Sequence, residues 1–343
     1  MRILVTGATG LIGCHAVARL AAAGHAVRAL VRDPAKLERV LAPFGSELGQ
    51  VTCHPGDITD VASVRRALRH CDALLHCAGA FSHDLADAAR IEQVNVEGTR
   101  IVLGVGADAG LEKMVFISSM LALFPPKSDV MSPDDPVTQP RAMYAATKAA
   151  AERGARRLQA RGVPLAIVYP GSTQGPHDPT IGGGPELIAN SLRAGRVLVT
   201  EGGLAYTDVR DLATMLAALF SGTPHPARLF APSFFVTHAR NHALLCELTG
   251  RAIKADRIPG AALRLMGRLG DLGQRFGRRA QLTREAAEVL TRSVPLDDAD
   301  ARKLLNREPI SDEASFRDLL GWMHEVGFLE AKHVGRLVRG DTA

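Results

Sequence analysis

The chain is poor in aromatic residues: one Trp, three Tyr and eleven Phe among 343 residues. That is too few for a platform on which bases stack. The 41 basic and 36 acidic residues are interspersed, so their net +5 forms no stripe for a phosphate backbone, and no nucleic-acid partner is expected. Cysteine is scarce too. Cys14, Cys53, Cys71, Cys77 and Cys246 make no CxxC and no Cys/His spacing, so no metal site is expected. Their odd number in apolar surroundings reads as reduced thiols of a cytoplasmic protein. No run of about 18 apolar residues free of charge occurs, so no segment is expected to span a membrane. The opening "MRILVTGATG" fails as an export signal, because its apolar run stops after Ile3, Leu4 and Val5, short of the about 7–15 residues required.

What is present is a packed α/β pattern, with 46% apolar residues. Arg2–Thr6 reads as a buried strand and Leu11–Ala23 as an alanine-rich helix. "HAVRALV", "QVTCHPGD", "CDALLHCAGA", "KMVFISS" and "PLAIVYPG" supply five more strands, the second to fourth of these followed by helical stretches. Six strands alternating with helices imply a Rossmann-type, doubly wound parallel sheet with right-handed crossovers. Beyond Gly171 the pattern turns irregular. The expected division is a dinucleotide-binding domain of residues 1–171 plus about 204–222, and a smaller C-terminal α/β substrate lobe of 172–203 and 223–335. Residues 336–343 form a tail.

The turn between the first strand and helix runs Thr6-Gly-Ala-Thr-Gly-Leu-Ile-Gly13. In that context Gly7, Gly10 and Gly13 close the turn, admit a pyrophosphate and let helix pack on strand, with Thr9, Leu11 and Ile12 alongside. The helix start then offers unpaired N–H groups to the phosphates. Where the second strand ends, an acid would bond the adenosine ribose of NAD. This chain has Arg32, with Lys36 one turn on, which suits the extra phosphate of NADP(H), NAD(H) remaining the alternative.

Tyr144-Ala-Ala-Thr-Lys148 puts a phenol and an ammonium on one helix face. A tyrosine with a pKa of about 10 needs such a cation to work as a base near neutrality. Ser119, at the carboxyl end of the fifth strand, stands where ligands bind in such sheets and can hold a substrate oxygen.

Read in order, "TGATGLIG", "GDITD", "HCAGA", "NVEGT", "ISS", "YAATK", "YPGSTQGP" and "DVRD" cover the first 211 residues. In this the chain resembles the extended short-chain dehydrogenase/reductases, the NAD-dependent epimerase/dehydratase family. That group holds sugar-nucleotide epimerases, dihydroflavonol 4-reductases and 3β-hydroxysteroid dehydrogenases. The resemblance implies Asp57 and Ile58 at the adenine, Cys77, Ala78 and Gly79 along pyrophosphate and ribose, and Pro170, Gly171 and Ser172 at the nicotinamide amide. It also implies Asn95 as a support of the relay to Lys148, with Lys148 on the nicotinamide ribose, and a homodimer. Departures are mild: Gly79 where many relatives have alanine, and Thr147 in place of the serine before the lysine. "VRALVRDP" and "YTDVRD" are similar to the dihydroflavonol-reductase and steroid-dehydrogenase branch. The expected activity is therefore an NAD(P)-dependent interconversion of a ketone and a secondary alcohol on an apolar skeleton. An NAD-dependent nucleotide-sugar epimerase or dehydratase, and a non-catalytic NADP-sensing protein, are the alternatives.

On the substrate side, Met120 and Phe124 follow the serine and fit either an apolar wall or the core. His177, in a glycine-rich loop, fits a substrate contact or a solvated side chain. Residues 261–279 space Ala262, Leu265, Met266, Leu269, Leu272 and Phe276 by three or four, with Arg264, Arg268, Arg275, Arg278 and Arg279 between them. That basic amphipathic pattern fits a lid helix with its apolar face on the domain, or a helix on a membrane surface. The interior glycines weigh toward the lid.

Overall fold

The computed structural model describes residues 1–45, 49–82, 84–275 and 282–339. Seven parallel strands form its main sheet: β1 (Arg2–Thr6), β2 (Ala26–Val31), β3 (Val51–Pro55), β4 (Ala73–His76), β5 (Lys113–Ile117), β6 (Leu165–Tyr169) and, after three strands outside this sheet, β10 (Arg228–Phe230). Their order is β10-β6-β5-β4-β1-β2-β3. β1, β4, β5 and β6 are short apolar runs because helices cover both sheet faces. On one face pack α1 (Leu11–Ala22), α2 (Pro34–Leu41), α8 (Val209–Phe220) and α12 (Ala299–Leu305). On the other lie α3 (Val61–Leu68), α5 (Thr99–Asp108) and α6 (Met143–Ala160). Strand order reverses between β1 and β4, which opens a crevice at their carboxyl ends.

The helical stretch after β4 is interrupted. It consists of α4 (Ala88–Glu92), a π-helical turn over Gln93–Gly98, and α5. The stretch beyond Gly171 begins with β7 (Ser172–Gln174), which pairs with β9 (Gly203–Asp208) and, through it, with β11 (Phe234–Thr237). A second small sheet joins β8 (Arg196–Val199) to β12 (Lys254–Arg257). These strands share a separate core with α7 (Gly184–Ala194), α9 (His238–Thr249), α13 (Asp312–Glu325) and α14 (Ala331–Val334). Residues after 223 also serve the main sheet, through β10 on its edge and α12 against α8.

Two ion-pair clusters fasten the late segments to α8. Arg210 bridges Asp208, the N-cap of α8, and Asp318 of α13. Buried Asp211 pairs with Arg307 and accepts the Ile310 N–H at 2.8 Å.

The remaining helices, α10 (Gly260–Arg275) and α11 (Arg284–Thr291), form a hairpin that corrects the lid expectation. Leu263 and Gly267 of α10 are buried, while Leu265, Met266, Leu269 and Leu272 face outward. Glycine decides this: a Cβ at Gly267 would come within 2.6 Å of the Thr283 carbonyl oxygen, so no larger side chain fits that close approach. Phe276, Arg278 and Arg279 lie outside the described residues.

Candidate active site

The glycine turn occupies the crevice. Gly7 has φ +75°, and a Cβ there would sit 2.5 Å from the Ala78 nitrogen. A Cβ at Gly13 would sit 2.0 Å from the Gly7 carbonyl oxygen. Gly10 begins α1 with no side-chain cap and no acidic residue in the first turn, so the helix leaves N–H groups and its positive end for an anion. Its own Cβ position is open, with nothing nearer than 3.5 Å. Thr9, Leu11 and Ile12 are half-buried around it. This cradle fits a dinucleotide's pyrophosphate. Arg32 follows β2, is exposed, and has no hydrogen-bond or ion-pair partner among the described residues. Asp33 beside it is engaged, accepting the Lys36 N–H at 3.0 Å as the cap of α2. Asp57 accepts both the N–H and the hydroxyl of Thr59 at 2.8 Å, and Ile58 packs against Gly98.

Beneath the turn lies a network that the sequence does not announce. His76 is fully buried, with Nδ1 2.6 Å from Thr6 Oγ1 and Nε2 2.9 Å from Thr99 Oγ1. Burial, and then the Lys148 charge, push it down to about 3, so it stays neutral and ties β1, β4 and α5 together. Cys77, Ala78 and Gly79 continue from it beside the glycine turn, and burial pushes the Cys77 thiol up. Asn95 sits in the π-helical turn, buried. Its Oδ1 accepts the Ala80 N–H at 2.7 Å, and its Nδ2 donates to the Ala80 carbonyl at 2.9 Å and to Thr147 Oγ1 at 3.0 Å. Thr147 donates in turn to the Tyr144 carbonyl at 2.8 Å. Asn95 thus joins the loop after β4 to the helix turn carrying Tyr144 and Lys148.

Ser119 stands beside Tyr144, and its Oγ accepts the Leu121 N–H at 3.2 Å. Burial pushes the Tyr144 phenol up to about 12, opposed by the neighbouring Ser119 hydroxyl. Lys148 is buried and held down to about 8 by desolvation, opposed by Glu152 and Cys77. Its Nζ donates to the Ile117 carbonyl at 2.8 Å and lies 5.0 Å from the centre of the Phe116 ring. Glu152, one turn further along α6, is fully buried and accepts from Arg156 at 2.8 Å and from the Tyr169 hydroxyl at 2.5 Å. Phe81 packs edge-on to Tyr144 at 4.9 Å between ring centres. Glu285, in the first turn of α11, accepts the N–H groups of Arg141 and Ala142 at 2.7 and 2.9 Å, just before α6 begins. Neither Phe81 nor Glu285 carries a motif signal.

Of the other positions, Pro170 accepts the Met120 N–H at 3.3 Å, which draws the half-buried Met120 to the end of β6. Gly171 is required by crowding, since its Cβ would meet the Ala205 carbonyl oxygen at 2.4 Å, and Ser172 opens β7. Phe124 is buried in the core on the α3, α5 and α6 face. His177 takes a left-handed backbone, φ +61°, and packs with His15, Phe44 and Trp322 at 5.4–6.2 Å between ring centres.

Residues 3–226 match the model of the NAD dependent epimerase/dehydratase family. The chain belongs to this family. It is 29% identical over 343 residues to sterol demethylase protein B of Methylococcus capsulatus, covering 96% of this chain and all of that one. It is 30% identical over 314 residues to a 4-hydroxy-2-methyl-3-oxo-4-farnesyl-3,4-dihydroquinoline-1-oxide ketoreductase of Stigmatella aurantiaca, covering 89% and 91%. The dTDP-glucose 4,6-dehydratase DesIV of Streptomyces venezuelae, solved with NAD and TYD bound, shares the fold with a TM-score of 0.72. Identity to it is 22%, over 97% of this chain and all of that one. This family member is an NAD(P)-dependent oxidoreductase of the extended short-chain type. No helix among its described residues is long and apolar enough to cross a membrane.

Proposed function

We propose that the protein interconverts a ketone and a secondary alcohol on an apolar, steroid- or flavonoid-like skeleton, with NADP(H) as preferred cofactor. The observation that carries this reading is the convergence of Ser119, Tyr144 and Lys148 at the carboxyl end of β5 and the start of α6, on the rim of the crevice that holds the glycine turn. A bound nicotinamide supplies or accepts the hydride. The chain's residues manage the oxygen and the proton. Ser119 orients the carbonyl oxygen, and Tyr144 gives its phenolic proton as the alcohol forms. In the oxidative direction Tyr144 must accept that proton. Burial opposes this and the neighbouring Ser119 hydroxyl counters it, so the phenolate would rely on cations brought near it, the Lys148 ammonium one helix turn on and the oxidised nicotinamide. Lys148 spends one of its three N–H donors on Ile117, which leaves two for the ribose hydroxyls of the cofactor. Asn95, through Thr147, holds this helix turn in register with the loop after β4.

Arg32 supports the NADP(H) preference, since a guanidinium without a partner among the described residues suits a phosphate dianion, with Lys36 as a second cation. Met120 and Phe81 offer apolar surface near Tyr144, and the sterol and farnesyl-quinoline names of the two curated relatives agree with a greasy substrate. Screening steroid, flavonoid, aldehyde and UDP-sugar panels with NADPH and NADH in parallel tests the reading. Tyr144→Phe is expected to lower turnover by about 10²–10⁴-fold while cofactor still binds. Undiminished turnover in that variant, or sugar epimerisation without net cofactor consumption, overturns it.

A further inference from the structure

Helix α10 presents to solvent the kind of face that a helix on a globular domain usually buries. Leu265, Met266, Leu269 and Leu272 are 58, 51, 61 and 48% exposed, and exposed Ala261 and Ala262 extend the same face. The opposite face is committed. Gly260 donates its N–H to Glu201 at 2.8 Å, Leu263 is buried, and Gly267 sits against the backbone at Thr283 and Arg284. Turning the helix to bury its leucines would drive them into that backbone, so the apolar stripe is fixed outward.

One edge of the stripe is basic. Arg264 donates to Thr291 at 2.8 Å and lies 3.7 Å from Glu201. Arg268 is exposed and has no carboxylate partner among the described residues. An apolar band with arginine at its margin matches acyl chains beneath anionic headgroups: leucine enters the chains and guanidinium meets phosphate. The chain's net +5 adds attraction to such a surface and repulsion toward a second copy of itself. The hairpin is also fastened to the active site, because Glu285 of α11 holds the backbone two and three residues before Tyr144.

We propose that α10 is an interfacial helix that rests the enzyme on an anionic lipid surface, with Leu265, Met266, Leu269 and Leu272 inserted and Arg268 at the headgroup phosphates. The inference is independent of the carbonyl chemistry and survives if that chemistry is wrong.

Co-sedimentation of the full chain with vesicles of phosphatidylcholine, with and without phosphatidylglycerol, tests it. Wild type is expected to bind the phosphatidylglycerol vesicles, less so at high salt. Leu269→Glu with Leu272→Glu should lower partitioning by about ten-fold per leucine. Arg268→Glu should remove only the preference for the anionic lipid. All these side chains face solvent, so thermal melts and turnover of a water-soluble carbonyl compound should match wild type. Absence of wild-type binding to both vesicle types, or equal binding by the double variant, overturns the proposal. So does a dimer that the double variant dissociates without any vesicle binding, which would assign the stripe to a second copy.

Discussion

Alanine placed singly at Gly13 and at Gly10 separates the two duties of the glycine turn, closing the fold and admitting the cofactor. At Gly13 the new Cβ would lie 2.0 Å from the Gly7 carbonyl oxygen, 2.6 Å from the Gly7 carbonyl carbon and 2.9 Å from the Ala8 Cα. All three are backbone atoms, and Gly7 cannot retreat because its own Cβ position is 2.5 Å from the Ala78 nitrogen. Overpacking costs about 1–3 kcal/mol even where side chains can shift, so the upper end applies here. The better helix propensity of alanine returns about 1 kcal/mol, leaving a loss of about 2 kcal/mol. For a chain of this size that lowers the melting temperature by about 3 °C. At Gly10 the contact is an ordinary 3.5 Å, and φ −108°, ψ 169° suits any residue, so the cost stays below about 1 kcal/mol. On the proposed cofactor site, the methyl group there would enter the space for the pyrophosphate. Thermal melts with and without NADPH read both effects. Gly13→Ala should melt early without ligand. Gly10→Ala should melt like wild type without ligand, yet lose most of the roughly 2.7 kcal/mol that NADPH at 100 times its Kd confers. A Gly13→Ala protein as stable as wild type, or a Gly10→Ala protein with undiminished NADPH stabilisation, would refute the assignment of the cradle.

Two further outcomes follow from charges in the site. Arg32→Asp should weaken NADPH binding by about 10–100-fold, the worth of a bidentate charged contact, and leave NADH binding unchanged or improved; fluorescence titration with both cofactors decides this. Lys148, held near 8, should make NADPH affinity pH-dependent. On the proposed contact of Lys148 with the cofactor ribose, binding takes the ammonium form, so affinity should be full below that value and fall above it by up to about ten-fold per pH unit. Lys148→Met should bind weakly with a flat profile, and an alkaline fall that persists in it would assign the titration elsewhere.

Periodicity made β1, β4, β5 and β6 legible, because strands covered on both faces are apolar throughout. β10 has only three residues and no period to detect. The π-helical turn is equally silent, since residues 93–98 continue a helical pattern and only the backbone shows the extra residue that aims Asn95 at both Ala80 and Thr147. His76 stands between Leu75 and Cys77 as one polar residue in an apolar run, and its partners lie 70 and 23 residues away. For α10 the spacing marks an apolar face but not its direction. Gly267, which counts against a helix by propensity, is the residue that lets α11 approach, while Gly260 makes room for Glu201; together they turn the leucines outward.

The charges around α8 bear on how such an enzyme can change its substrate. The stretch that matches the family model ends at residue 226, yet Asp211 within it is closed off by Arg307 and the Ile310 N–H, and Arg210 by Asp318. The stretch that matches the family model therefore draws its electrostatic closure from residues beyond 226. A foreign substrate lobe grafted after residue 226 would have to bring its own cation to Asp211 and its own carboxylate to Arg210. Only Asp211 and Arg210 travel with the matched stretch; their partners Arg307 and Asp318 have to be supplied anew by whatever follows it.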